Sequence, residues 1–526
     1  MAAGLKDFLG RVPMAADLYD AVRRERPRTR YNLEQLAAHL PGAVAAVRPF
    51  AAKAAEAAPR KKLLLFASLH YWIEQAVMVG LVLRGQGHDV TLTYLPYSSL
   101  DADINSFDLR RQDLYTRRVL QPLNGLMATV SLLDMQPAGR MPDELSEALE
   151  TSAAFDTMYR CQVEDFDRNS DLYQLRLQRN RAALLAALKL LSDEKPDAVL
   201  IPNGLVSELA VVYQAARYLG LNGITYEFND QLEQIWLAQN DIVMHQNTDA
   251  LWAARGQTPL SEEQRQVIAE FEDARSHARK YGKGTRFWQD VPPVGAEELR
   301  RTLGLDGRPV VLLATNVLGD SLTLGRHVFA HSMAEWISRT VMYFAQRPDV
   351  QLVVRVHPGE RLMKGPSIVG VIESAVQQMP EHIHVIGPHE KVNTYDLMDI
   401  AALGLAYTTT VGMEMAMRGV PVVAAGNTHY RGRGFTIDPC SWEEYFGQLD
   451  RVLGRLPESR LTMGQVETAW NYGYRFFFEF PLPFPWRLMH FWKDLETWPL
   501  DRVLGVNGEQ QFGQTFNYLS GEPLRW

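Results

Sequence analysis

Two cysteines, Cys161 and Cys440, in 526 residues leave no material for a disulfide framework or a cysteine-rich zinc site. A reducing compartment is the expected setting. No uninterrupted apolar run is long enough to cross a bilayer. The first twenty residues carry acids and lack a long apolar core, so they do not read as a signal peptide. An excess of positive charge is missing too. The net charge of -8 argues against a general nucleic-acid binder and leaves room for local basic patches. The phosphate loop GxxxxGK[ST], a GxGxxG after a strand and the GxSxG elbow are all absent. His327 and His331 are four apart but lack the glutamate of HExxH, and are better read as one face of a helix. Asp101 with Asp103, and Asp165 with Asp167, have DxD spacing inside a polar helical stretch, where coincidence is the better reading. No metal site is expected.

What the chain does have is an α/β rhythm. Residues 63–67 read as a buried strand, followed by Ser68, Leu69 and His70, a helix to about 86, and a second strand at 89–94. The rhythm breaks over 98–190, a charged and mostly helical insertion. It resumes with a strand at 197–201 and a turn at Pro202, Asn203 and Gly204. A helix follows with Glu208 in its first turn, then a strand at 223–228 that carries Glu227. A charged helical stretch over 255–300 leads into a linker at Val291, Pro292 and Pro293, which puts a domain boundary near 295. Further strands are predicted at 310–315, 351–356, 384–386 and 403–407, with a helix at 329–346. Residues 1–58 are Ala-rich and helical, with basic spots at 23–30 and 60–62. A helical pair packed on the next domain is the plainest reading, with an oligomer arm or a membrane-facing element as alternatives. The aromatic tail at 476–486 holds prolines 481, 483 and 485, which bar a spanning helix. Arg475 and Arg487 flank it as they would an interfacial segment, but packing of the rings in the core is favoured.

The richest stretch is 403–436. It reads strand, polar turn, helix, Gly419 stop, strand, one unit of a parallel sheet. Thr408, Thr409, Thr410 and Gly412 form the turn, at the strand end where such sheets bind ligands. Hydroxyls, free N–H groups and the helix dipole suit a phosphate there. Glu414 in the first helical turn could accept hydrogen bonds from a sugar diol. Its plainer role is to stabilise its own helix by roughly 0.3–1 kcal/mol. His429, Tyr430, Arg431 and Arg433 lie on a glycine-rich loop that could close over an anion. His357, fixed by Pro358 after a strand ending in Arg355, falls on the same rim. So do Asn316 and Asp320, in the loop after the 310–315 strand. With Arg361 and Lys364 these make a positive patch on an acidic chain, which points to a bound anion. The unit at 197–228 has the same plan, with Glu208 in the place of Glu414, so two similar sheet domains are expected.

Three segments carry a family resemblance: RVHPGE at 355–360, YTTTVGMEMAMRGVPVV at 407–423 and HYRGRGFT at 429–436. A weaker fourth joins Pro202, Asn203, Gly204 and Glu208 to Thr225, Tyr226 and Glu227. The chain resembles a GT-B glycosyltransferase and, more narrowly, bacterial capsule-polysaccharide biosynthesis proteins, which share features with Kdo transferases and polysialyltransferases. Many relatives have serine where this turn has threonine. The resemblance covers about 60–500 and implies an α/β fold of two Rossmann-like domains facing a cleft. Its parts would be a helical segment at 1–58, an acceptor domain at 59–295 with the insertion, a nucleotide-sugar domain at 296–460, and helices at 461–526 returning to the first domain. It implies a metal-independent enzyme without a cofactor that moves sugar from a nucleotide-sugar donor to a glycan or lipid-linked glycan acceptor. Donor contacts would come from Arg355, His357, Thr408, Thr409, Thr410, Gly412, Glu414, Tyr430, Arg431, Asn316 and Asp320. The acceptor's base would be Glu227, Glu208 or His70, in that order. A 2-epimerase-like enzyme and a non-catalytic scaffold in polysaccharide export are the alternatives. The expected setting is the bacterial cytoplasm, with peripheral contact at the inner membrane face and homo-oligomers compatible with it, and no nucleic-acid partner.

Overall fold

The computed structural model describes residues 6, 8–10, 12, 14–23, 30–55, 61–136, 139–229, 233–282, 291–456 and 459–526. Most of the basic spot at 23–30, and Arg60, lie outside the described residues. The chain divides into two compact units. One holds Met1–Arg160, Asp167–Met244 and Leu482–Arg525, the other Cys161–Phe166 and His245–Pro481.

The first unit is built on β1 (Lys62–Ser68), β2 (Asp89–Leu95), β3 (Ala128–Ser131), β4 (Ala198–Pro202), β5 (Asn222–Asn229) and β6 (Gln234–Gln239). The strands run β6-β5-β4-β1-β2-β3, with the short β12 (Leu482–Pro483) added beside β6. β1 to β5 are parallel, while β6 and β12 pair antiparallel. Leu63–Ala67 and Ala198–Ile201 are buried on both faces, as apolar runs in a parallel sheet must be.

The second unit has a five-stranded parallel sheet: β7 (Val310–Ala314), β8 (Gln351–Arg355), β9 (Ile383–Ile386), β10 (Ala401–Ala406) and β11 (Val422–Ala424). Its order is β11-β10-β7-β8-β9. Read from the first strand of each unit, both parallel sheets follow the order 3-2-1-4-5 of a Rossmann half. The two Rossmann-like units expected from the sequence are therefore present.

Several details differ. The insertion is not purely helical, because Ala128–Ser131 pairs with β2 at the sheet edge. The second unit begins at His245 rather than near 296. The helix Glu262–Ser276 belongs to it because Arg275 is paired there with Glu414. The return to the first unit starts at Leu482, not 461, since the helix Met463–Tyr474 packs on the helix Val411–Met417. His327 and His331 precede the helix Met333–Ala345, which begins only at the Ser332 cap. The His327 ring instead meets the Tyr407 hydroxyl at 2.7 Å. The aromatic tail is core. Phe476 and Phe480 are buried in the second unit, Phe484 and Trp486 in the first. Its flanking arginines do not mark an interface: Arg475 pairs with Glu479, and Arg487 with Asp494 at 2.8 Å. No helix among the described residues is long and apolar enough to cross a membrane.

Candidate functional site

In the second sheet the strand order reverses between β7 and β10, the crevice where open α/β sheets take ligands. The chain spans that point with polar groups. The Asn316 side-chain oxygen, after β7, accepts the Thr408 N–H after β10 at 3.2 Å. The Thr315 hydroxyl accepts the His357 N–H after β8 at 3.1 Å, so three strand ends are tied together. Thr408 is buried, and its hydroxyl has no hydrogen-bond partner among the described residues. A buried hydroxyl costs free energy unless something bonds it, so this one suits a ligand oxygen. Gly412 leaves the room the turn needs, because a Cβ there would strike the Tyr430 hydroxyl. That hydroxyl donates to the Thr409 carbonyl at 2.7 Å and so fixes the turn from below. Asp320 closes its own loop by accepting the Leu322 N–H at 2.9 Å.

The charges on this rim differ from the expectation. His357 Nδ1 accepts the Gly359 N–H at 3.0 Å, which leaves the proton of the neutral ring on Nε2. Burial first, then the neighbouring Arg355, pushes His357 down to about 4. At neutral pH it is an N–H donor, not the cation the sequence suggested. His429 is also neutral, held well below the usual range by burial, stacked on Phe476 and bonded to the Tyr472 hydroxyl at 2.9 Å. Arg431 clips the carbonyls of Ala424, Asp438 and Pro439, and Arg433 pairs with Asp249. The loop at 429–433 is thus a brace for the turn more than a set of cations. Positive charge concentrates instead at Arg355, which is buried and among the described residues bonds the carbonyls of Gly387 at 2.9 Å and Val392 at 3.3 Å. Burial lowers its pKa to about 10. It lines a cavity of about 70 Å³ with Arg361, His389 and Lys391, and with one acid, Glu390.

Glu414 sits on the helix behind the turn with its carboxylate already engaged. It pairs with Arg275 and accepts the Tyr395 hydroxyl at 3.2 Å, and it is 1% exposed. A sugar diol would have to compete with both partners. Nothing in the local sequence announced Arg275, which lies in a charged helix 139 residues upstream.

The first sheet presents His70, Asn203 and Glu227 at the ends of β1, β4 and β5. Glu227 accepts the Asn203 amide at 2.9 Å and stays half-buried. Backbone strain gathers on this rim: Leu69, Asn203 and Ser207 all have φ between 57° and 70°. The His70 Nδ1 is buried without a partner among the described residues, and burial lowers its pKa. Tyr71 lies near Glu227. Partial burial, then Tyr159 and Glu227, pushes its hydroxyl up to about 12. Sequence reasoning passed over it for want of any spacing signal. Glu208 is placed differently. It is fully buried and paired with Arg176 at 2.8 Å, and it accepts from Ser68 at 3.3 Å. Arg176 also holds Asp156 at 3.0 Å and Asn180 at 3.1 Å. This closed network anchors the insertion helices and offers no open carboxylate. Among the described residues no three His, Cys, Asp or Glu side chains gather as metal ligands.

No known family profile and no curated protein matches the chain. Among solved structures it is similar to the KpsC β-Kdo 2,4 transferase of Thermosulfurimonas dismutans, at 18% identity and a TM-score of 0.33, over 52% of this chain and 78% of that one. It is similar to the KpsC β-Kdo 2,7 transferase of the same organism at 11% identity and 0.33, over 60% and 89%. It is also similar to the UDP-GlcNAc 2-epimerase of Neisseria meningitidis at 13% identity and 0.27, over 79% and 97%.

Proposed function

We propose that the chain is a glycosyltransferase that moves a sugar from a nucleotide-sugar donor to a glycan or glycolipid acceptor in bacterial surface or capsule polysaccharide biosynthesis. The observation that carries this reading is the buried Thr408 hydroxyl at the switch point, without a partner among the described residues, with neutral His357 and Arg355 at the end of another strand of the same sheet. The donor's phosphate is held by Thr408, Thr409, Thr410, Gly412 and His357. Asn316, Asp320, Tyr430 and Arg431 keep that turn and its loops in shape. These donors, with Arg355, stabilise the nucleoside phosphate as it leaves, and they do so without a metal. Glu227 takes the acceptor hydroxyl's proton as the glycosidic bond forms, oriented by Asn203. His70 is the second choice.

Purified protein offered a panel of nucleotide sugars, with and without acceptor glycans, tests the reading. Transfer that requires an acceptor and survives EDTA supports it. Release of free sugar or an isomer without acceptor means an epimerase-like enzyme, and no turnover of any donor means a scaffold. Thermal shifts with CMP, UDP, GDP and dTDP identify the base, because a ligand of the native state raises its melting point. Glu227→Gln should abolish transfer and leave donor binding intact.

A further inference from the structure

Met14, Leu18 and Val22 follow one another at four-residue spacing, and the Leu18 N–H bonds the Met14 carbonyl at 2.9 Å. They therefore form one row along the helix Ala15–Arg23, and they are 68%, 64% and 82% exposed. Phe8 and Val12, just upstream, are exposed too. The opposite side of the helix is polar and pinned. Asp17 accepts from Arg110 at 2.8 Å, and Asp20 pairs with Arg118. The Tyr19 ring meets Phe107 edge-on at 5.7 Å and lies under the Arg111 guanidinium at 4.7 Å. Acids face in and Met, Leu and Val face out, the reverse of an ordinary surface helix. In water that row contributes nothing to folding.

The stretch of sequence that carries it is basic. Residues 6–30 hold seven Lys and Arg against four Asp and Glu, in a chain whose net charge is -8. Two of those acids are the ones neutralised by Arg110 and Arg118, and one of the cations, Lys6, is paired with Asp108 at 2.6 Å. Arg23, which ends the helix, and Arg30 are both exposed. A second copy of this chain is a poor occupant. Five side chains fall short of the roughly 20–30 residues per side of a stable interface, and like charges would meet.

We infer that this row seats on an anionic lipid surface. Its apolar side chains enter the boundary between headgroups and acyl chains while the arginines lie among the lipid phosphates. Lipid attachment is separate from glycosyl transfer, so either can fail alone.

Full-length protein is sedimented with vesicles of phosphatidylcholine alone and of phosphatidylcholine with phosphatidylglycerol. Binding is expected only to the anionic vesicles and should weaken as salt rises. Leu18→Ser with Val22→Ser should lower the partition coefficient at least about tenfold. Arg23→Gln with Arg30→Gln should lower it about fivefold per arginine. Circular dichroism and nucleotide thermal shifts should be those of the parent in both variants. Absence of binding to anionic vesicles overturns the inference, as does unchanged binding by Leu18→Ser with Val22→Ser. So does a dimer at sedimentation equilibrium that this pair of substitutions dissolves.

Discussion

Replacing Arg275 by methionine should unbalance the second unit more than any other single change near the turn. Arg275 bonds the Tyr395 hydroxyl at 2.9 Å, pairs with Glu414 and stands 3.7 Å from Glu272. Both glutamates are buried, and among the described residues the other cation paired in this cluster is Arg418, 3.3 Å from Glu272. Methionine keeps much of the stem's packing against Phe271 and Phe477, whose rings lie 5.1 Å from the guanidinium. What remains is one buried carboxylate too many. Leaving such a charge unpaired costs about 3–5 kcal/mol. For a unit of this size that corresponds to a melting point lower by about 6–20 °C. Thermal unfolding followed by circular dichroism reads it directly. Adding Glu414→Gln should restore part of the loss, because the neutral amide no longer needs the cation. An Arg275→Met protein that melts with the parent, or a double variant no better than the single, would refute the reasoning.

Glu272 is pushed up to about 7, chiefly by burial and then by Glu414. A carboxyl raised in the folded state keeps its proton after the unfolded chain has lost it. Stability should therefore fall as pH rises from about 4.5 to about 7, and Glu272→Gln should flatten melting curves across that window. Affinity for an intact nucleotide sugar, whose phosphates carry no proton that titrates near neutral pH, should by contrast show no inflection near pH 6.5 in calorimetric titrations, since His357 stays neutral until pH falls to about 4. An inflection there would mean that His357 binds as a cation. Gly412→Ala should drive a methyl group into the Tyr430 hydroxyl and break its bond to Thr409. It should cost about 1–3 kcal/mol in denaturant melts and weaken nucleotide binding.

The sheets were legible because apolar runs such as Leu63–Phe66 and Val310–Leu313 are buried on both faces and end in polar turns. Short edge strands were not. Ala128–Ser131 and Leu482–Pro483 carry too little pattern to stand out, and they form because a neighbouring edge is free to pair. The unit boundary was misplaced for a related reason. The Pro-rich stretch at 291–293 is a linker by composition, but Arg275 ties the helix before it to Glu414 across 139 residues. At the site, residue types were readable while their charge states were not. The protonation of His357 is set by burial and by Arg355, and the Arg431 guanidinium is spent on carbonyls. Spacing along a chain encodes neither.

Glu208 and Glu414 are counterparts in the two units. Each follows the fourth parallel strand of its sheet, each lies at the start of the next helix, and each is buried. Each is also gripped by an arginine from an earlier helix of its own unit, Arg176 for Glu208 and Arg275 for Glu414. An acid at that position needs no ligand to account for it in either unit, because it locks the helix start to a neighbouring helix. The units differ in what stands beside the lock. In the first, Asp156, Asn180 and Ser68 complete a closed network around the pair. In the second, the turn ahead of the acid has a Thr408 hydroxyl with no partner among the described residues and a Cβ-free Gly412. The chemical asymmetry between the two sheets therefore resides in the turn and not in the glutamate. Exchanging Glu414 for glutamine in the intact protein should lower the melting point more than it lowers nucleotide affinity, whereas Thr408→Val should do the reverse.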